Sequence, residues 1–191
     1  MKNYIGRKIN TAIFISGTGS NMRNLIKFSN ANKSPINVKL VISSNKNAKG
    51  IVYASKKKIA NYSFKFSDLK YAEKNIFKIL SEKKIKLICL AGFMKILSHN
   101  FIKKFKGKII NIHPSLLPKY KGLNTYNRVL ENDEKYTGCT VHFVNSKLDG
   151  GKIILQKKIK ILKKDTAISL KKRVQKEEYL LYPRAIKKII N

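Results

Sequence analysis

Three short stretches carry side chains whose types and spacing suit chemistry. The run Asn111-Ile112-His113-Pro114-Ser115-Leu116-Leu117-Pro118 sets an amide and an imidazole two residues apart. At the end of a strand, period two puts Asn111 and His113 on one side. An amide donor beside an imidazole suits a reaction that develops an oxyanion and moves a proton. A lone histidine is more commonly a satisfied core residue, but the paired amide and the rigid proline turn favour a site. The second stretch is Leu148-Asp149-Gly150-Gly151. Alone it reads as a hairpin turn. It also offers His113 a carboxylate partner, in a chain with only 10 acidic residues. The third is Ser16-Gly17-Thr18-Gly19-Ser20-Asn21. Met22 stands where a dinucleotide fingerprint needs its third glycine, and no Gly-Lys-Ser/Thr follows to make a P-loop. The loop fits a tight strand-to-helix turn and a phosphate site equally well.

The surrounding pattern predicts elements that would position these stretches. Residues 8–16 (KINTAIFIS) read as a buried strand, and Ser20 as the N-cap of a helix to about Ser29. Strands are predicted at 37–43 and, weakly alternating, at 61–66, with a short helix near 50–58 between them. Asp68 caps a helix whose apolar positions Ala72, Ile76, Ile79 and Leu80 recur at helical spacing. The apolar run 87–91 (LICLA) reads as a strand covered on both faces. A short helix at 98–105 and a strand at 109–112 follow. Beyond them come a helix at 123–131, two long strands at 138–144 and 152–162, and a closing helix at 166–190 interrupted at Pro183. The expected fold class is α/β: a mainly parallel twisted sheet with helices on both faces. Its N-terminal half is Rossmann-like and its C-terminal half adds antiparallel strands. Loops 17–21, 92–97 and 113–118 leave strand ends and are expected to converge on one cleft. With no linker or internal repeat, a single domain spanning 1–191 is expected, with a phosphate-binding half 1–106 and a catalytic half 107–191.

Composition narrows the class. The chain has 191 residues, 43% of them hydrophobic, and no long apolar run for a membrane span. The first ten residues lack the apolar run and cleavage site of a signal peptide, so a cytoplasmic location is expected. Cys89 and Cys139 lie in apolar stretches without CxxC spacing and read as free buried thiols. The formal charge of +32 comes from 42 Lys and Arg against 10 Asp and Glu. The lysines are spread along the chain, alongside abundant Asn and Ile, so compositional bias accounts for them. The excess should still attract anionic substrates in a salt-dependent way.

The blocks ISGTGSN at 15–21, LAGFMKILS at 90–98, NIHPSLLPKYKGL at 111–123, GCTVHFV at 138–144 and LDGGKIILQ at 148–156 resemble the glycinamide ribonucleotide formyltransferases. These belong to a wider group of formyltetrahydrofolate-using hydrolases and transferases. The blocks stand in the family's order and cover nearly the whole chain. The resemblance implies a catalytic trio of Asn111, His113 and Asp149, in a half, 107–191, that also binds folate. It implies that Gly19, Ser20 and Asn21 bind the ribonucleotide's phosphate, with Gln175 and Glu178 near its phosphate and sugar. Met94, Lys95, Ile96 and Leu97 would receive the pterin ring of the co-substrate 10-formyltetrahydrofolate, largely through backbone groups. Asn111 would contact that folate too, and Lys70 is the position offered for a basic contact to it. His142 matches a histidine near the reaction centre, or is a strand histidine facing solvent. Asn124 and Tyr126 stand where relatives commonly have histidines, and Lys95 where they often have Arg.

The implied reaction needs no metal. A neutral amine attacks the formyl carbon, Asn111 and protonated His113 stabilise the oxyanion, His113 delivers a proton to the folate's bridging nitrogen, and Asp149 is expected to raise the histidine pKa. The implied partners are the two small-molecule substrates, with no specific nucleic acid and no membrane, in a monomer or weak homodimer. The length favours the purine enzyme over methionyl-tRNA formyltransferase, which needs a sizeable C-terminal domain, and over formyltetrahydrofolate deformylase, which usually has an N-terminal regulatory one. A basic RNA-binding module on the same fold is the competing reading from another class. It lacks stacking aromatics interleaved with the lysines.

Overall fold

The computed structural model describes residues 8–190. The reading of the first ten residues as free of a leader falls mainly outside the described residues. The chain divides into two compact units, 8–110 with residue 190, and Asn111–Ile189.

In the first unit the chain runs β1 (Ile9–Ile15), α1 (Ser20–Ser29), β2 (Ile36–Ser43), α2 (Lys49–Lys56), β3 (Ala60–Ser63), α3 (Leu69–Glu82), β4 (Leu87–Leu90), α4 (His99–Lys104) and the start of β5 (Lys108–His113). β1 pairs in parallel with β2 and β4, and β2 in parallel with β3. Apolar runs without alternation make this possible. Ala12, Ile13, Phe14 and Ile15 are fully buried, and every residue of β4 is buried. Phe14 begins a chain of edge-on rings: Phe93 lies 5.5 Å from it and Phe66 5.2 Å from Phe93. Phe93 thereby anchors the loop that leaves β4. Asp68 caps α3 by accepting from the Tyr71 N–H, and Ser98 caps α4 by accepting from Phe101.

The second unit contains the end of β5, α5 (Thr125–Glu131), β6 (Tyr136–Phe143), β7 (Ile153–Lys160) and α6 (Ala167–Ile190). β6 and β7 are antiparallel, with a register shift between Val141 and His142. Lys157, Lys158 and Lys160 of β7 are exposed. The strand order across the seven described strands is β3-β2-β1-β4-β5-β6-β7. The expected mainly parallel sheet with antiparallel C-terminal strands is what forms. Among the described residues no helix is long and apolar enough to cross a membrane.

Two local expectations fail for physical reasons. Ser20 is not the N-cap; it is the first residue of α1, and Gly19 caps in the left-handed region at φ 70. A Cβ on Gly19 would sit 3.1 Å from the Gly50 Cα, so the close approach of α2 demands glycine there. Nor does Pro183 interrupt α6, which runs through it unbroken. Leu181, Tyr182, Ala185 and Ile186 are buried on either side of the proline. Their packing outweighs the lost backbone bond.

The turn between β6 and β7 closes on Gly151. A Cβ there would overlap the Phe143 carbonyl oxygen. Gly151→Ala should destabilise by at least the upper end of the about 1–3 kcal/mol typical of overpacking, because a backbone atom cannot move aside. Thermal melting measures this; an unchanged melting temperature would show that the turn opens easily.

Candidate active site

Three segments of the second unit meet at Asp149. β5 supplies Asn111 and His113, the segment after it supplies backbone groups, and the β6–β7 turn supplies the carboxylate. Asp149 sits at φ 45, which aims its side chain back from the turn. Oδ2 accepts from the Gly122 N–H at 2.9 Å and lies 3.3 Å from Nδ1 of His113. Oδ1 accepts from the Asn111 amide at 3.4 Å and lies 3.6 Å from Nε2 of His142. The hairpin turn and the carboxylate partner are therefore one feature.

Both imidazoles are oriented by carbonyls. His113 Nε2 is 2.8 Å from the Tyr120 carbonyl oxygen. A carbonyl only accepts, so Nε2 carries the hydrogen. His142 Nδ1 likewise donates to the Phe143 carbonyl at 2.8 Å. In the neutral ring His142 Nε2 then accepts from the Asn111 amide, 3.2 Å away. His142 is 2% exposed, so the solvent-facing alternative for it falls.

In the first unit, loops 17–21 and 92–97 converge. Ser16 donates its N–H to the Gly92 carbonyl, and its hydroxyl accepts from the Met94 N–H at 2.7 Å. Glu73 fixes the loop's far end, accepting from the Ser98 N–H at 2.7 Å and hydroxyl at 2.6 Å. Between these pins Met94, Lys95 and Ile96 are exposed, while Leu97 is buried in the core. Gly17 accepts from the Gly50 N–H, which steadies the loop before Gly19, Ser20 and Asn21. Lys70 lies exposed in the first turn of α3. Gln175 and Glu178 lie on α6 of the second unit, Glu178 buried and Gln175 partly exposed.

Comparison with known proteins fits this geometry. The formyl transferase family profile matches residues 9–186. The chain is 42% identical to phosphoribosylglycinamide formyltransferase of Haemophilus influenzae, over 92% of this chain and 84% of that protein. It is 38% identical to 18% of the human trifunctional purine biosynthetic protein adenosine-3, over 94% of this chain. The crystal structure of phosphoribosylglycinamide formyltransferase from Brucella melitensis superposes with a TM-score of 0.91 at 41% identity, covering 96% of each chain. The chain belongs to the formyl transferase family.

The electrostatics of this formyl transferase differ from expectation in one respect. Burial would raise the Asp149 carboxyl, but the nearby His142 and His113 rings and the bond from the Gly122 N–H together hold it below the usual carboxylate range. His113 was expected to be raised by Asp149. Instead burial dominates and lowers it from 6.5, against the opposing pull of the Tyr120 carbonyl and Asp149, while His142 and Arg128 push it further down. The ring is therefore neutral near pH 7. Burial, with Glu178 and Glu177 nearby, pushes the Cys139 thiol up to about 12, so it is no nucleophile at neutral pH. Cys89 and Cys139 are both buried, and neither forms a disulfide. Among the described residues no group of three or more His, Cys, Asp or Glu side chains is arranged to hold a metal ion.

Several supporting groups escaped the sequence reading. Thr140 donates its hydroxyl to the Ser115 carbonyl at 2.6 Å and accepts from the Leu117 N–H and the Gln156 amide. Gln156 also donates to the Leu117 carbonyl at 2.8 Å. This lock seats the 115–118 turn on β6. The two prolines signal the turn, but nothing in its spacing points to Thr140 or Gln156. Tyr120 and Gly122 act through backbone atoms, which carry no side-chain signature.

His113 titrates in a definite direction. Its folded pKa lies below the unfolded value of 6.5, so its contribution to stability is present above that value. The contribution is lost as pH falls through the lowered one. Asp149→Asn removes an upward pull, so the His113 midpoint should drop further, as read by NMR titration. An unmoved midpoint would mean the carboxylate does not act on the ring.

Proposed function

We propose that this formyl transferase moves the formyl group of 10-formyltetrahydrofolate onto the amine of glycinamide ribonucleotide. The products are formylglycinamide ribonucleotide and tetrahydrofolate, in de novo purine biosynthesis. The observation that carries the reading is the meeting of Asn111, His113 and Asp149 at one carboxylate. The relatives named phosphoribosylglycinamide formyltransferase, matched over most of the chain, support the substrate pair.

Each residue has a role that its surroundings support. The neutral amine attacks the formyl carbon and leaves a tetrahedral centre with an oxyanion and an ammonium. Asn111 donates to the oxyanion. Its 3.4 Å contact to Asp149 is longer than its 3.2 Å contact to His142, and is the one an incoming oxyanion displaces. Neutral His113 accepts the proton that the ammonium sheds, and Asp149 stabilises the imidazolium formed. His113 then returns the proton to the bridging nitrogen of the folate as the carbon–nitrogen bond breaks. His142 holds the Asn111 amide in place. The start of α1, at Gly19, Ser20 and Asn21, binds the ribonucleotide phosphate, and Gln175 and Glu178 contact the ribonucleotide. Met94, Lys95, Ile96 and Leu97 receive the pterin. The exposed apolar side chains of Met94 and Ile96 support that role, whereas Leu97 acts from its backbone. Lys70 attracts the acidic end of the folate. Two buried cysteines outside any disulfide support a reducing, cytoplasmic setting.

Asn111→Ala and His113→Ala should each lose about a hundred- to a thousand-fold in turnover, or about 2.7–4 kcal/mol. Tetrahydrofolate formation on adding the ribonucleotide to purified protein measures this. Folate turnover that ignores the ribonucleotide would instead mark a hydrolase. With a net charge of +32, kcat/KM for these anionic substrates should also fall as salt rises. A salt-independent kcat/KM would separate the charge from substrate capture.

A further inference from the structure

Residues 120–124 give the catalytic cluster two backbone groups, the Tyr120 carbonyl on His113 and the Gly122 N–H on Asp149. The segment achieves this by an alternating left-handed path: Tyr120 at φ 55, Gly122 at φ 78 and Asn124 at φ 56. Glycine adopts that region readily, but Tyr and Asn do so under strain. Strained backbone persists where surrounding contacts over-determine it.

Those contacts converge on one side chain. Arg128, in α5, reaches back so that Nη1 donates to the Lys121 carbonyl at 2.7 Å and the Leu123 carbonyl at 3.4 Å. These carbonyls flank Gly122. The same guanidinium lies 5.4 Å from the centre of the Tyr120 ring. From the other side, the Tyr120 hydroxyl donates to Glu134 at 3.0 Å, and Lys119 meets that carboxylate at 2.8 Å. A planar fork that bonds a carbonyl and lies against a ring is a geometry an ammonium does not reproduce.

We propose that Arg128 is a positioning residue for formyl transfer: it clamps 120–123 so that the Tyr120 carbonyl and the Gly122 N–H hold His113 and Asp149 in register. The clamp acts through backbone, so Arg128 itself touches no reacting atom. The proposal rests on the reaction given above for its kinetic effect, and on geometry alone for the state of His113.

The test uses the full chain carrying Arg128→Met or Arg128→Lys. Both variants should lose up to about 100-fold in kcat, the scale for a reactive group misplaced by about 1 Å, with KM for both substrates little changed. In 15N spectra of histidine-labelled protein, His113 should lose its preference for hydrogen on Nε2, while His142 keeps its tautomer. Melting temperatures report folding, and the lysine variant, which keeps the charge, carries the test if the methionine variant unfolds. Wild-type kcat and an unchanged His113 spectrum in Arg128→Met would overturn the proposal. So would full recovery of both in Arg128→Lys, which would assign the effect to charge rather than to the fork. A wild-type protein without transferase activity would sink the proposed reaction instead, and the 15N spectra would still decide the clamp.

Discussion

A single carboxylate sets the terms for the second unit. Asp149 accepts from the Gly122 N–H and the Asn111 amide, and lies within ion-pair reach of His113 and His142. Each oxygen serves one of the two β5 residues and one other group. In a partly dehydrated setting such bonds are stronger than in water, and a missing partner is correspondingly costly. The turn that carries Asp149 must therefore be placed closely. Its tight closure at Gly151, against the Phe143 carbonyl, limits how far the carboxylate can drift.

The lowered His113 pKa follows from the same burial that makes the cluster effective. A carboxylate neighbour alone predicts a raised value, and that simple expectation omits desolvation. The two effects oppose each other on the His113 ring and burial is the larger, while the groups around Asp149 hold its carboxyl low. A neutral ring beside an ionised carboxylate is ready to take up a proton and then hold it. In the first unit, the loop after β4 is fixed differently, by side-chain oxygens at each end: Ser16 at Met94 and Glu73 at Ser98.

Much of this was legible in the residues. Continuous apolar runs marked β1 and β4, and helical spacing with an Asp68 cap marked α3. The Asn-x-His and Asp-Gly-Gly stretches marked groups that do meet. What the residues concealed was mostly backbone. Tyr120 contributes a carbonyl and Gly122 an N–H, and any residue type has those. Gly19 took the cap from Ser20 because a neighbouring helix comes too near for a side chain, a long-range fact. Pro183 stayed helical because packing on both sides overrode local preference. Glu73 reads as one more charged position on α3, yet it is buried by the loop it holds.

The lysines of β7 have a consequence beyond attraction of anions. β7 stands last in the strand order, so among the described residues one side of its backbone has no neighbouring strand, although Arg173 and Lys188 of α6 donate to its Lys160 and Ile154 carbonyls. A rim of that kind is a template on which another chain can add a strand and begin to aggregate. Lys157, Lys158 and Lys160 put a row of like charge along it, and a second copy brought alongside would meet the same row. Lysines that draw anions toward the protein thus also set like charge against a copy of the same strand at this rim.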